Sequence, residues 1–328
     1  MQNNIDFIIT WVDGSDTQWK TQKRQYQPDK RMDDGEERYR DWENLKYWFR
    51  GVEKFAPWVR NIYFVTWGHL PEWLNTSQPK LKIIRHTEYI PAEYLPTFNS
   101  HAIELNFHLI EGLSDQFVYF NDDMFLIKPS SPEDFAKKGI PRDRIIYNAL
   151  SPIDGTISNI RYNNMKIINR YFNKRKLERK HLGKLFYPGY GLSLWKNITM
   201  LPWRKFSSFE DEHIPITFSK KVFNELWSKE NSILHETCSK KFRSENDVSP
   251  WLFRYWNLAQ GNISPRATKK GIYLSLDDSG KAADTIRKQK AQLVCLNDIG
   301  KVNKFEEQKE KLIAAFEEIL PEKSSFEN

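Results

Sequence analysis

"FVYFNDDMFLIKP", residues 117–129, decides how the chain is read. The run Phe117–Phe120 has the aromatic and β-branched content of a buried strand. The apolar pattern resumes at Phe125 and Leu126, but two adjacent carboxylates, Asp122 and Asp123, stand between. Paired negative charge at the end of a core strand is costly unless a cation lies beside it. Two readings compete. One is a solvated turn. The other is a ligand set for a hard divalent ion, Mg²⁺ or Mn²⁺, shared with a nucleotide diphosphate.

Upstream, the same grammar repeats. "IDFIITWV" (5–12) is a buried strand that closes on the turn "DGSD". "DWENLKYWFRGVEKF" (41–55) carries Leu45, Trp48, Phe49 and Val52 at helical spacing. "NIYFVTWG" (61–68) and "LKIIRH" (81–86) are further strands, and "SHAIELNFHLIEGL" (100–113) is a helix opened by Ser100 and closed by Gly112. Strands alternating with helices predict an α/β fold with a Rossmann-like, mostly parallel sheet. Ligands of such sheets bind beyond the carboxyl ends of the strands. "DGSD", "WGHL" and "NDDM" all stand at such ends, so they are expected to converge on one site.

Past residue 130 the alternation loosens. "ITFSKKVFNELWSK" (216–229), "PWLFRYWNLAQG" (250–261) and "KFEEQKEKLIAAFEEIL" (304–320) are read as helices. The expected organisation is therefore an α/β nucleotide-sugar core over 1–150 and a mostly helical part over 151–328. The 47 Trp, Tyr and Phe residues (12, 14 and 21) favour a packed protein over a disordered one. A net charge of +7 favours anionic partners. No nucleic-acid-binding motif is recognisable, which counts against nucleic acid. Two cysteines, Cys238 and Cys295, in unrelated contexts form no disulfide framework and show no metal-ligand spacing. No signal peptide or spanning helix is read, and a cytoplasmic protein, at most peripheral to a membrane, is expected.

Three further places carry candidate chemistry. In "TWVDGSD" (10–16), Gly14 permits close approach of backbone to a ligand beside the Trp11 indole; an ordinary turn is the plainer reading. Arg243, in the polar stretch before the helix at 250, has the fork that clamps phosphate, or simply belongs to a surface loop. His213, in "FEDEHIP" (209–215), sits among acids that would raise its pKa and suit a proton acceptor.

Four blocks then carry a resemblance: "IDFIITWVDGSD"; "RYRDWENLKYWFRGVEKFAPWVRNIYFVTWGHLPEWL" with "LPTFNSHAIELNFHLIEGLSDQFVYFNDDMFL"; "EHIPITFSKKVFNELW" with "KKFRSENDV"; and "AQLVCLNDIG" through "ILPEKSSFE". In this order they resemble the Stealth family of hexose-1-phosphate transferases. That family includes bacterial capsule and cell-surface polysaccharide phosphotransferases and the catalytic part of a Golgi N-acetylglucosamine-1-phosphotransferase. The resemblance implies a glycosyltransferase-A-like fold and an enzyme that moves sugar 1-phosphate from a UDP-linked nucleotide sugar to a glycan hydroxyl. A phosphodiester forms and UMP leaves. It implies His213 as general base, Arg243 as stabiliser of phosphoryl charge, Asp123 as a catalytic acid residue, and Mg²⁺ or Mn²⁺ on Asp122 and Asp123. It also implies a nucleotide-binding set of Trp11, Asp13, Gly14, Arg38, Arg50, Asn99, Ser100 and His101, although Arg50, within a helix, could instead simply pair with a carboxylate. A metal-dependent glycosyltransferase releasing UDP is the alternative.

The acceptor implied by the resemblance is lipid-linked, so membrane contact is expected. The basic stretch 166–184 is one place for it. Ile168, Tyr171 and Phe172 line one helical face, ringed by Arg170, Lys174, Arg175, Arg179 and Lys180. A solvated helix packed on its own core explains the same pattern.

Overall fold

The computed structural model describes residues 4–27, 40–154, 156–298, 302 and 304–328. Four parallel strands, β1 (Asp6–Trp11), β2 (Ile62–Thr66), β3 (Leu81–Arg85) and β4 (Gln116–Phe120), form the central sheet in the order β4–β1–β2–β3. Along β1 the side chains alternate: Phe7 and Ile9 enter one apolar cluster and Ile8 the other. β4 does the same, with Val118 and Phe120 on one side and Phe117 and Tyr119 on the other. Burial on both faces explains why these strands read as unbroken apolar runs. Helix α1 (Thr17–Tyr26) starts directly after the "DGSD" turn, where the Asp16 carboxylate accepts from the Trp19 backbone N–H at 2.7 Å.

The expected helix at 216–229 is corrected. Ile216–Ser219 is a strand, antiparallel to β4 at the edge of the sheet, and the helix starts only at Lys220. The expected helix at 100–113 is also shorter. It runs Ser100–Leu105, and the Asn106 side chain then folds back onto the Ala102 carbonyl at 2.8 Å, ahead of a 3₁₀ turn at Phe107–Leu109.

A second sheet explains the opening motif. Strand β5 (Met124–Leu126) leaves the central sheet and pairs antiparallel with Leu293–Asn297, which pairs in parallel with Gly271–Ser275. Asp122 and Asp123 therefore occupy the step between two sheets. The backbone closes that step: the Leu296 N–H donates to the Asp123 carbonyl at 2.8 Å, and the Met124 N–H to the Asn121 carbonyl at 3.2 Å. Helix α2 (Leu45–Phe55) lies directly on β5. A Cβ at Gly51 would stand 2.7 Å from the Leu126 carbonyl oxygen, so only glycine allows that approach.

The two sequence halves interlock. One cluster joins β1, β2 and α2 to the C-terminal helix Phe305–Ile319, and Tyr47 stacks on Phe316 at 5.1 Å. The other joins the opposite face of the sheet to the helices Lys220–Lys229 and Trp251–Gln260. No helix among the described residues is long and apolar enough to cross a membrane.

Candidate active site

A cleft of about 550 Å³ opens at the carboxyl ends of β1 and β4. Trp11, Asp13, Gly14, Asp122, Asp123, His213 and Arg243 all line it, so seven of the sequence-derived candidates are brought together. Antiparallel pairing explains how His213 arrives. Ile216 pairs with Tyr119, so the segment just before the strand, which carries His213, runs beside the segment just after β4, which carries the two aspartates. His213 holds a left-handed backbone (φ 49°), a conformation uncommon outside glycine and consistent with a functional constraint.

His213 Nε2 lies 3.5 Å from Asp123 Oδ2. Burial opposes protonation of the ring, but the Asp123 hydrogen bond and charge, followed by Glu104 and Asp211, outweigh it and raise its pKa. The neighbouring acids of "FEDEHIP" contribute less than the sequence suggests, because arginines neutralise them. Glu210 and Glu212 pair with Arg144 at 2.9 and 2.6 Å, Glu212 also with Arg266 at 2.5 Å, and Asp211 with Arg254 at 2.8 Å and with Arg161. These pairs bolt the loop down, and Asp123 supplies the charge that His213 feels most.

Asp122 faces the open cleft. Desolvation by the surrounding protein, reinforced by the Asp123 charge, pushes its pKa up to about 7. Asp123 Oδ2 accepts a 3.2 Å hydrogen bond from the Cys295 thiol, which burial and the neighbouring aspartates hold in its neutral form. Asp123 Oδ1 is buried and, among the described residues, has no hydrogen-bond partner. An orphaned carboxylate oxygen beside a second carboxylate fits a cation. Asp123, His213 and Cys295 also offer ligand atoms within 4.8 Å of one another, a group of candidate metal ligands. The sequence signalled the acids but not Cys295, whose strand must fold back 172 positions to meet Asp123.

Behind the cleft lies a buried relay that sequence reasoning missed. Glu104 accepts from the Tyr119 hydroxyl at 2.9 Å, and that oxygen lies 3.2 Å from Thr10 Oγ1. Burial pushes Glu104 up to about 7 against the opposing pull of Arg243. Arg243 is aimed by Ser100: its Nε donates to Ser100 Oγ at 3.0 Å, and its Nη2 donates to the same oxygen.

Other members of the expected nucleotide-binding set act at a remove or elsewhere. Asn99 is fully buried. Its amide donates to Asp247 Oδ2 at 3.1 Å and more weakly to the Thr237 and Phe242 carbonyls, while its carbonyl oxygen caps His101. His101 Nδ1 stands 3.8 Å from the same Asp247 carboxylate. Asn99, Ser100 and His101 thus hold the 242–247 loop that presents Arg243, and they do not line the cleft. Arg50 does not line the cleft. Its guanidinium is buried and grips Glu327 at 2.8 Å through both Nε and Nη2, with Glu317 at 3.3 Å and the Leu320 carbonyl at 2.9 Å. It ties α2 to the C-terminal tail. Arg38 lies outside the described residues.

Toward β1, the Asp13 N–H donates to His69 Nε2 at 2.7 Å, and its carboxylate accepts from the Ser15 N–H and hydroxyl. Although burial works the other way, these bonds hold the Asp13 pKa low. Opposite, Trp42 Nε1 donates to Asp298 Oδ2 at 3.1 Å, beside the Arg40–Asp298 ion pair at 3.4 Å. Of these rim residues, Arg40 and Asp298 were not singled out from the sequence, although Arg40 lies in the block containing Arg38.

A second hollow, of about 660 Å³, lies on the far side of the acid loop. Its walls include Arg144, Arg161, Glu212, Trp251 and Tyr273, and His213 lines both hollows. Tyr273 stands edge-on to His213 at 5.9 Å and accepts from Asn297 Nδ2 at 2.6 Å.

Comparison with known proteins agrees with the sequence blocks. The profile described as Stealth protein CR1, conserved region 1, matches residues 3–31, and that described as CR2, conserved region 2, matches residues 38–143. A capsular polysaccharide phosphotransferase of Streptococcus pneumoniae, WcwK, is 44% identical over 333 residues, covering 100% of each chain. The exopolysaccharide phosphotransferase cps2G of Lactiplantibacillus plantarum is 39% identical, covering 99% of this chain and 96% of its own. Among solved structures, the galactosyltransferase LgtC aligns over 94% of this chain and 96% of its own, at a TM-score of 0.39 and 7% identity, too distant to inform the site. With full-length relatives at this identity and the cleft built from the family's blocks, the chain belongs to the Stealth family.

Proposed function

We propose that this protein transfers a sugar 1-phosphate from a nucleotide sugar to a hydroxyl of a glycan during cell-surface polysaccharide synthesis, releasing a nucleoside monophosphate. The observation that carries this reading is His213 paired with Asp123 in a cleft that Arg243 also lines, within a chain aligned end to end with polysaccharide phosphotransferases. The donor is a UDP-hexose or UDP-N-acetylhexosamine, with the nucleotide toward Trp11, Asp13 and Gly14. The acceptor, a lipid-linked glycan, takes the second hollow, because an attacking hydroxyl must reach the base from outside the donor cleft.

Phosphoryl transfer depends mainly on positioning and neutralisation of charge. Asp123 beside Nε2 favours the proton on that nitrogen and leaves the Nδ1 lone pair to accept the proton of the acceptor hydroxyl. The oxygen then attacks the sugar-bearing phosphorus, and the bond from that phosphorus to the nucleotide phosphate breaks. Arg243, held by Ser100, meets the charge on the non-bridging oxygens. Asp122 and Asp123 are the residues that would hold Mg²⁺ or Mn²⁺, which when bound neutralises diphosphate charge. The anomeric bond is untouched, so anomeric configuration is retained. Incubation with a panel of nucleotide sugars and an acceptor glycan, with mass spectrometry of both products, tests this. UMP and a phosphate-bearing glycan support it. UDP and a glycan without phosphate favour the glycosyltransferase alternative.

A further inference from the structure

The stretch 166–184, the expected membrane-binding helix, buries most of the face it was expected to offer: of Ile168, Tyr171 and Phe172, only Tyr171 is exposed, at 40%. Ile168 is fully buried, Phe172 packs edge-on to Trp256 at 4.6 Å, and Lys174 is buried against Glu178. The apolar surface lies one segment further on. The helix Leu194–Met200 is inside out: the residues it buries are Asn197 and Met200. Asn197 is anchored by polar bonds, donating to the Ile145 and Leu185 carbonyls and accepting from the Tyr147 N–H, each at 2.7 Å. Leu192, Trp195 and Ile198 follow at three-residue spacing and point outward, 97%, 68% and 45% exposed, with Trp203 beyond them at 55%. Two exposed indoles and two exposed aliphatic side chains on one short stretch are apolar surface that folding alone does not account for.

Its surroundings say what covers it. Lys196, Arg204 and Lys205 are exposed along the same stretch. The helix Lys174–Lys180 lies against it, since Lys174 Nζ donates to the Met200 carbonyl at 3.0 Å and Arg175 Nη2 to the Pro202 carbonyl at 3.4 Å. That helix exposes Arg175, Lys176, Arg179 and Lys180, while its one acid, Glu178, is buried and paired. Aromatic and aliphatic side chains ringed by lysine and arginine match the boundary of an anionic bilayer, where indoles settle at headgroup level and cations meet the lipid phosphates. Another protein chain would need acids to answer this ring.

We propose that Leu192, Trp195, Ile198 and Trp203 seat this protein on an anionic lipid surface, with the exposed cations of the helix Lys174–Lys180 on the headgroups. Ser193, at the base of this ledge, also lines the hollow that His213 shares. A glycan carried on a lipid in the same bilayer would enter the acceptor side from there. This last point rests on the proposed function; the binding itself does not.

The test is flotation of the full chain with vesicles of phosphatidylcholine alone and of phosphatidylcholine with phosphatidylglycerol, at low and high salt. The parent should float with the anionic vesicles, and less so at high salt. Trp195→Ser/Trp203→Ser should lower the bound fraction by roughly tenfold or more. Lys176→Gln/Arg179→Gln/Lys180→Gln should remove the salt-sensitive part. Both variants should keep transfer to a soluble acceptor fragment and an unchanged thermal midpoint. If the double tryptophan variant fails to fold, Trp195→Gln alone carries the same expectation with a smaller loss. A parent that ignores anionic vesicles at low salt overturns the proposal, as do variants that float like the parent. Concentration-dependent dimers lost on Trp195→Ser would also overturn it, making the ledge a contact between copies. Release of UDP in place of UMP would defeat the proposed reaction while leaving the flotation result standing.

Discussion

Replacing His213 with alanine removes an imidazole that lines both hollows. A positioned general base contributes on the order of 10²–10⁴ in rate, or about 2.7–5.4 kcal/mol of barrier. The half-exposed ring is not needed to fill a core, so the fold should survive. The loss should fall on kcat with little change in the KM for donor, because the base acts in the transition state. The pH profile gives a second readout. A base works unprotonated, so the parent rate should rise with pH through the pKa of His213. The Asp123 carboxylate lifts that pKa above its ordinary 6.5, so the acid limb should lie on the alkaline side of that value. In His213→Ala this limb should vanish. Initial rates of nucleotide release, at saturating donor and acceptor across pH, measure both. A kcat within about fivefold of the parent, or an acid limb that persists unchanged, would refute His213 as the base.

Asp123→Asn should nearly abolish transfer and weaken Mn²⁺ binding measured by calorimetry without donor; unchanged Mn²⁺ affinity would remove Asp123 from the metal site. Arg243→Lys should lower kcat by roughly tenfold or more, since an ammonium reproduces neither the fork nor both bonds to Ser100; parental turnover would show that the guanidinium is dispensable. Arg50→Leu should leave Glu327 buried without its cation, held among the described residues only by Ser324, at a cost of about 3–5 kcal/mol and a fall in melting midpoint of about 4–7 °C. Loss of donor binding with parental stability would instead return Arg50 to the site.

The parallel core was legible because its inner strands β1, β2 and β4 are buried on both faces, so local pattern and global position agree. The same two-faced burial made "NDD" conspicuous. What the sequence hid depends on partners far along the chain. Ile216–Ser219 runs into the helix Lys220–Lys229 with neither glycine nor proline between them, so the change of period from two to helical leaves no mark. That strand delivers His213, so the histidine was found by motif while its route to Asp123 was not. Arg50 resembled a ligand-binding arginine because Glu317 and Glu327, its partners, lie more than 260 positions away. Cys295 and Glu104 sit in apolar segments that read as core until the fold turns them toward Asp123 and Arg243. The stretch 166–184 has the pattern of a surface-binding helix, but Ile168 is buried and Phe172 packs on Trp256.

The central claim is that a phosphorus–oxygen bond breaks and the sugar–oxygen bond does not. It is tested most directly with a nucleotide sugar carrying ¹⁸O in the bridge between the anomeric carbon and its phosphorus. Phosphotransfer predicts that the label and the phosphorus both appear in the glycan, as a phosphodiester visible by ³¹P NMR, with unlabelled UMP released. Label recovered in released UDP, with no phosphorus in the glycan, would contradict the account.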